Sequence, residues 1–214
     1  MFTITIALLG ELTLSQPDCP APETWLDRSL PVADRGWATD AEKKRTRARM
    51  SRTWRAMGFD DDAVTALLTI VKRESFNGDT CAVHVLGENE YGLGAGGLFV
   101  RLQKPKWDRD APDWVLYVPE VQAVIMGRML RRSLGYGPSE TAKPRTWLRF
   151  QQVYAGRVRH GNQHVDLDNR WCHRLKSAGI DCHAQIGNVG EKLGTGPSED
   201  QTAFVLALQT EIET

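Results

Sequence analysis

Residues 60–75 read DDDAVTALLTIVKRES. The three carboxylates at its start suit the partial positive charge at a helix N-terminus. The apolar residues that follow nearly encircle a helix, which predicts a buried core helix: Val64, Leu67, Leu68, Ile70 and Val71. The stretch ends at Glu74 and Ser75, so we expect an acidic side chain at the edge of the core.

Further helices are predicted on both sides of this core helix. Asp40 can cap the preceding one, and Gly58 can stop it. Pro119 opens another, and a Ser-x-x-Gln capping box at Ser198 and Gln201 opens the last one. Apart from that C-terminal helix, the predicted helices cover residues 41–57, 119–132, 144–154 and 169–178.

Residues 76–118 differ in character, because they contain six glycines and two prolines. We expect short strands at residues 82–86 and 114–118 within an otherwise irregular lobe. A loop region this long in a compact domain is usually functional. The sum is a mostly helical α+β domain with one glycine-rich lobe.

The charge balance argues against nucleic acid as a partner. The 214 residues include 27 basic and 27 acidic side chains, whereas nucleic-acid binders usually carry a basic excess. Basic residues cluster locally at 43–55 and 128–132, on patterns that predict solvated helix faces. The apolar run at residues 1–10 is too short to span a bilayer, and no other stretch could do so. We interpret it as an export segment, with an alternating strand over residues 2–6 as the alternative.

Four cysteines indicate two disulfides in an exported protein. The short spacing between Cys172 and Cys182 favours their pairing, which leaves Cys19 to pair with Cys81. The competing interpretation is a zinc site, because a Cys-His pair occurs at both residues 172–173 and 182–183, with further histidines at His160 and His164. Zinc sites more often take two cysteines from a tighter spacing, so we predict no metal.

Glu74 is the strongest candidate for chemistry. A carboxyl group between a buried helix and an open lobe is desolvated on one side, which disfavours its anion. Cleavage of a glycosidic bond needs such a group, because the leaving oxygen must receive a proton. The alternative is a helix-end glutamate paired with Lys72 or Arg73.

Four motifs resemble those of the lytic transglycosylases and goose-type lysozymes. Glu74-Ser75 resembles the Glu-Ser pair that ends a buried helix in that family. The segments GAGGLF at 94–99, PEVQ at 119–122 and VYAG at 153–156 resemble Gly-x-x-Gly-Leu-Met-Gln, Pro-x-x-Asn and Tyr-Asn-Ala-Gly. They follow the family's order over residues 60–158. The resemblance implies a lysozyme-like fold that acts on the glycan strands of bacterial cell wall.

The departures from the family pattern concern substrate contacts. Residues 99–100 read Phe-Val where the family has Met-Gln, so one glycan-contacting amide is absent or moved. Gln122 replaces Asn. Tyr154 directly precedes Ala155, so either a residue is deleted or Val153 stands where the family has Tyr. The resemblance implies that Glu74 is the general acid, and that the substrate contacts include Ser75, Gly97, Leu98, Phe99, Gln122 and Tyr154.

The second carboxylate of a hydrolase would come from Glu90 or Glu88. Both share one face of an extended segment and would repel each other if buried, which favours a solvated position. Our first hypothesis is therefore a single-acid transglycosylase that cleaves the MurNAc–GlcNAc β-1,4 bond. A hydrolase that uses Glu90 and a glycan-binding module without turnover are the alternatives. Aromatic residues that could stack on sugars, or pack in the core, are Trp107, Trp114 and Tyr117.

These inferences divide the chain into four parts. Residues 1–17 are the apolar segment and residues 18–39 an irregular arm. Residues 40–190 are the lysozyme-like catalytic domain, and residues 191–214 are a C-terminal helix packed on it or a tail. We expect a periplasmic or secreted monomer that needs no cofactor.

Overall fold

The fold is known from a computed structural model that describes most of the chain. It is mostly helical, with two small antiparallel sheets, as the α+β prediction requires. None of the described helices is long and apolar enough to cross a bilayer. The described residues are 2–6, 10–14, 17–19, 38–87, 90–99, 104, 107–133, 146–154, 165–186, 204–205 and 209.

The helices and strands follow one another in mixed order along the chain. The helices are α1 Asp40–Ala56, α2 Asp61–Glu74, α3 Pro119–Ser133, α4 Trp147–Tyr154 and α5 Val165–Ser177. The strands are β1 Phe2–Ile6, β2 Gly10–Leu14, β3 Val83–Gly87, β4 Glu90–Leu93 and β5 Leu98–Phe99. A 3-10 helix covers Asp113–Tyr117.

The first two long helices begin at side-chain caps. Thr39, one residue before the predicted Asp40, caps α1: its hydroxyl accepts from the Glu42 N–H at 3.3 Å, and the Glu42 carboxylate accepts from the Thr39 N–H at 2.7 Å. This reciprocal capping box satisfies two backbone donors at once. Asp60 caps α2 by accepting from the Ala63 N–H at 2.8 Å.

Helices α1 and α3 pack closely and form one wall of the core. The Arg49 guanidinium donates two hydrogen bonds to the buried Glu120 carboxylate, at 2.6 and 2.8 Å. The Trp54 indole donates to the Ala123 carbonyl at 2.8 Å. Gly127 permits this approach, since a Cβ there would lie 2.6 Å from the Met57 methyl carbon.

The glycine-rich lobe contains a three-stranded antiparallel sheet in the order β3-β4-β5. Its first strand confirms the prediction at residues 82–86, whereas the strand predicted at 114–118 is wrong. Those residues form the 3-10 helix. Gln122 donates to the Leu116 carbonyl, and Thr80 donates to that of Tyr117. These two carbonyls already accept hydrogen bonds from side chains, so they are not left to pair with a neighbouring strand.

Other predictions agree with the structure apart from small differences, or concern residues that the structure does not describe. Strand β1 pairs with β2 as a hairpin, which agrees with the strand alternative for residues 2–6; removal of the segment on export stays a prediction. Helix α5 begins at Val165, four residues before the predicted start. Outside the described residues lie the start predicted at Pro144, the capping box at Ser198 and Gln201, and also Glu88, Val100, Ala155, His160 and His164.

Both predicted disulfides are present. Cys19 is bonded to Cys81, and Cys172 to Cys182. His183 lies beside the second pair, with its ligand atom within 4.8 Å of both sulfurs. Metals take cysteine as the thiolate, so sulfurs that are bonded to each other do not support the zinc alternative. Two disulfides are typical of proteins that fold in an oxidising compartment.

We expect the two disulfides to stabilise the fold unequally. The sequence separations are 62 residues for Cys19–Cys81 and 10 residues for Cys172–Cys182. In the chain-entropy model these loops correspond to about 4 and about 3 kcal/mol. Replacing Cys19 and Cys81 by serine should therefore lower the melting temperature more than the same change at Cys172 and Cys182. Maleimide labelling of either pair of cysteines in the native, unreduced protein would contradict that pairing.

Candidate active site

Glu74 is the last residue of helix α2, where the helical core meets the lobe. The helix itself is buried, with Leu67, Ile70 and Val71 fully inaccessible. The Glu74 side chain is 26% exposed. The carboxylate therefore reaches solvent from a rigid support, at the edge that the sequence predicted.

Ser75 ends the helix and does not face solvent. It is fully buried, and its hydroxyl donates to the Val71 carbonyl at 2.6 Å. The contact with a sugar that the resemblance implied has no support in this position. Ser75 instead satisfies a carbonyl in the last turn of α2, and so it fixes the point from which Glu74 projects.

A tight turn at residues 94–97 lies directly against Glu74. Gly94 and Gly97 both have positive φ, at 73° and 59°, which favours glycine. A Cβ placed on Gly97 would lie 3.4 Å from the Glu74 Cβ. The turn therefore brings bare backbone beside the carboxyl-bearing side chain.

Gln122 holds this turn in place through hydrogen bonds. Its carboxamide is fully buried, accepts from the Gly96 N–H, and donates to the carbonyls of Leu93 and Leu116, the former at 2.9 Å. All these partners are backbone groups, which corrects the expectation that Gln122 contacts substrate. Gly94 must lack a side chain here, since a Cβ would overlap the Gln122 amide nitrogen.

Tyr154 reaches the same turn from helix α4. Its hydroxyl donates to the Gly96 carbonyl, and its ring packs edge-on against Phe150 at 5.9 Å between centroids. Burial raises the pKa of Tyr154 well above the ordinary tyrosine value, and the negative charge of Glu74 raises it further. Glu74, Gly97, Gln122 and Tyr154, predicted from separate motifs, are therefore brought together around one turn.

The remaining predicted residues are either buried in the core or described by their backbone alone. Leu98 is buried in the core and offers no surface to a substrate, which corrects that expectation. For Phe99 and Glu90 the structure describes the backbone, in strands β5 and β4, and not the side chains. Trp107 and Tyr117 are buried, so core packing accounts for both.

Sequence reasoning missed two residues at this site, His84 and Phe76. His84 lies on β3, and its Nε2–H donates to the Glu74 carbonyl oxygen. A histidine between two valines in a strand is the signal that could have identified it, because alternation places it on the face opposite them. The Phe76 ring stacks against the His84 ring, with centroids 6.2 Å apart.

Arg73 is the charged neighbour of the Glu74 carboxylate. Its guanidinium Nε lies 3.4 Å from Glu74 Oε1, and both side chains are partly exposed. This is the ion pair that the structural alternative for Glu74 predicted. At a partly solvated helix end such a pair contributes little to stability.

Searches against models of known protein families, curated proteins and solved structures all find no match.

The proximity of Glu74 to Tyr154 predicts a measurable coupling. Replacing Glu74 by Gln should lower the Tyr154 pKa, although not to the ordinary value, because burial is the larger cause of its rise. Phenolate absorbance, compared with a Tyr154→Phe control, reports this ionisation.

The raised pKa of Tyr154 also makes the folding stability depend on pH. Because the folded protein holds the Tyr154 proton more tightly than the unfolded chain, stability present below the ordinary tyrosine pKa is lost as pH rises above it. Tyr154→Phe should lack this alkaline loss. An unchanged Tyr154 titration in Glu74→Gln would mean that the two side chains do not interact.

Proposed function

We propose that the chain is a peptidoglycan lytic transglycosylase that cleaves the MurNAc–GlcNAc β-1,4 bond with Glu74 as its acid and base. The observation that carries the proposal is the partly exposed carboxylate at the end of a buried helix, against a glycine turn fixed by Gln122 and Tyr154. Pre-organised geometry of this kind supports proton transfer at a defined atom. The four motifs, which follow the family's order over residues 60–158, are the second support.

In the proposed reaction, Glu74 gives its proton to the glycosidic oxygen as the bond from C1 to that oxygen breaks. The resulting carboxylate then takes the proton of the sugar's own C6 hydroxyl, whose oxygen bonds to C1. The products are a 1,6-anhydro sugar and a free chain end, and Glu74 recovers its proton. One carboxylate suffices, and neither water nor a cofactor is consumed.

Tyr154 fits the place that the family gives its tyrosine. Its hydroxyl bonds to the turn next to Glu74, and the charge of Glu74 affects its pKa. This supports the alignment in which one residue is deleted after Tyr154, over the one in which Val153 replaces the tyrosine. The two disulfides support a periplasmic or secreted location, where the cell wall is accessible.

A glycan-binding module without turnover is the second candidate, and one observation favours it. The Arg73 guanidinium lies 3.4 Å from the Glu74 carboxylate, so a neighbouring side chain already engages the group that an enzyme would present to its substrate. Activity on purified sacculi separates a binding module from an enzyme.

Replacing Glu74 by Gln keeps the side-chain shape and removes the transferable proton. We expect activity on purified sacculi to fall by roughly 10² or more, in line with general-acid contributions, with an unchanged melting temperature. Lys72→Gln is the matched control, because Lys72 is exposed on the same helical turn, and it should retain activity. Lysis by Glu74→Gln at a near wild-type rate would refute the assignment.

The product identifies the reaction type. We expect anhydro-muropeptides, each one water lighter than the corresponding hydrolysis product, to dominate a digest analysed by mass spectrometry. A hydrolase that uses Glu90 would instead release reducing ends and would lose activity in Glu90→Gln. Those two results together would show that the proposed activity is that of a lysozyme and not of a transglycosylase.

A further inference from the structure

Phe76 is the one large apolar side chain that is exposed among the residues whose burial the structure describes, at 36%. It lies two residues after Glu74. Its backbone is in the left-handed region, with φ of 48°, and Asn77 follows with φ of 76°. A bulky side chain in this conformation is strained.

The exposed ring is part of a two-ring stack. Phe76 and His84 lie nearly parallel, at 9° between their planes. The His84 ring is itself fixed, because Nε2–H donates to the Glu74 carbonyl oxygen. A Cβ placed on Gly97 would lie 3.5 Å from His84 Cδ2, so the stack adjoins the turn beside Glu74.

Burial offsets the strain at Phe76 only in part. An apolar ring stabilises a fold through the area it buries, and 36% of Phe76 stays exposed at a position where glycine would remove the backbone strain. Strained residues cluster at active sites and ligand sites. The exposed part of the ring, next to Glu74, is therefore a candidate contact for a ligand.

A pyranose ring matches such a surface. One face of the sugar carries mainly C–H groups, which pack on an aromatic ring, while its hydroxyl and amide groups point to the side. We propose that Phe76, supported by His84, binds a sugar ring of the glycan immediately beside the bond that Glu74 cleaves. This inference rests on the proposed function and adds a sugar-binding position to it.

Glycine substitution tests the ring without disturbing the fold. In a Glu74→Gln background, which prevents turnover, Phe76→Gly should weaken binding of hexameric N-acetylglucosamine and of peptide-free glycan strands by roughly three- to tenfold, as measured by calorimetry. Phe76→Trp should restore the affinity. Asn77→Gly is the matched control, since it relieves the same kind of strain without removing a ring, and should change affinity less than twofold. Asn77→Gly should melt at or above the parent temperature, and Phe76→Gly, which also loses the buried part of its ring, within a few degrees of it.

The outcomes separate the inference from the proposed function. If the parent binds glycan and Phe76→Gly binds it equally well, the sugar-binding position is wrong while the proposed function stands. If the parent binds no glycan, both fail. If the parent self-associates in sedimentation runs and Phe76→Gly alone abolishes this, the ring serves a second copy of the chain and the inference is overturned.

Discussion

The buried carboxamide of Gln122 bonds to backbone groups from three different segments. It connects helix α3 to the end of β4, to the 3-10 helix and to the turn at residues 94–97. An unpaired amide would be costly inside a core, so this side chain fixes the distances among all three segments. The position of the turn against Glu74 depends on that network. The lobe is thereby built as part of the helical core rather than as an appendage.

The helical framework was predictable because its signals are local. The apolar pattern of residues 61–74 and the carboxylates that precede it mark α2 within a residue of its observed bounds. The N-cap of α1 was misplaced by one residue, since Thr39 and Asp40 are both good caps and the reciprocal bond with Glu42 decides between them. The 3-10 helix escaped prediction because two of its carbonyls accept from side chains outside it, those of Thr80 and Gln122, which no pattern within the segment reveals.

The sequence predicted which residues form the candidate site better than it predicted what each of them does. Motif order brought Glu74, Gln122 and Tyr154 into one hypothesis, and the structure brings them to one turn. Burial then showed which residues support the site from inside the core: Ser75, Leu98 and Gln122 face inward. Phe76 could not be found from sequence, because its significance lies in a positive φ and in exposure, and both are properties of the folded chain.

The disulfide between Cys19 and Cys81 makes residues 19–81 a covalent ring that contains α1, α2 and Glu74. Inside this ring the buried Asp79 carboxylate accepts from the Cys81 N–H at 2.8 Å and from the Ala38 N–H at 3.0 Å. One cut in the backbone anywhere inside the ring leaves a single molecule, because the fragments stay joined through sulfur. A protease that cuts the chain once between these two cysteines therefore releases no fragment, and α1 and α2 stay covalently joined.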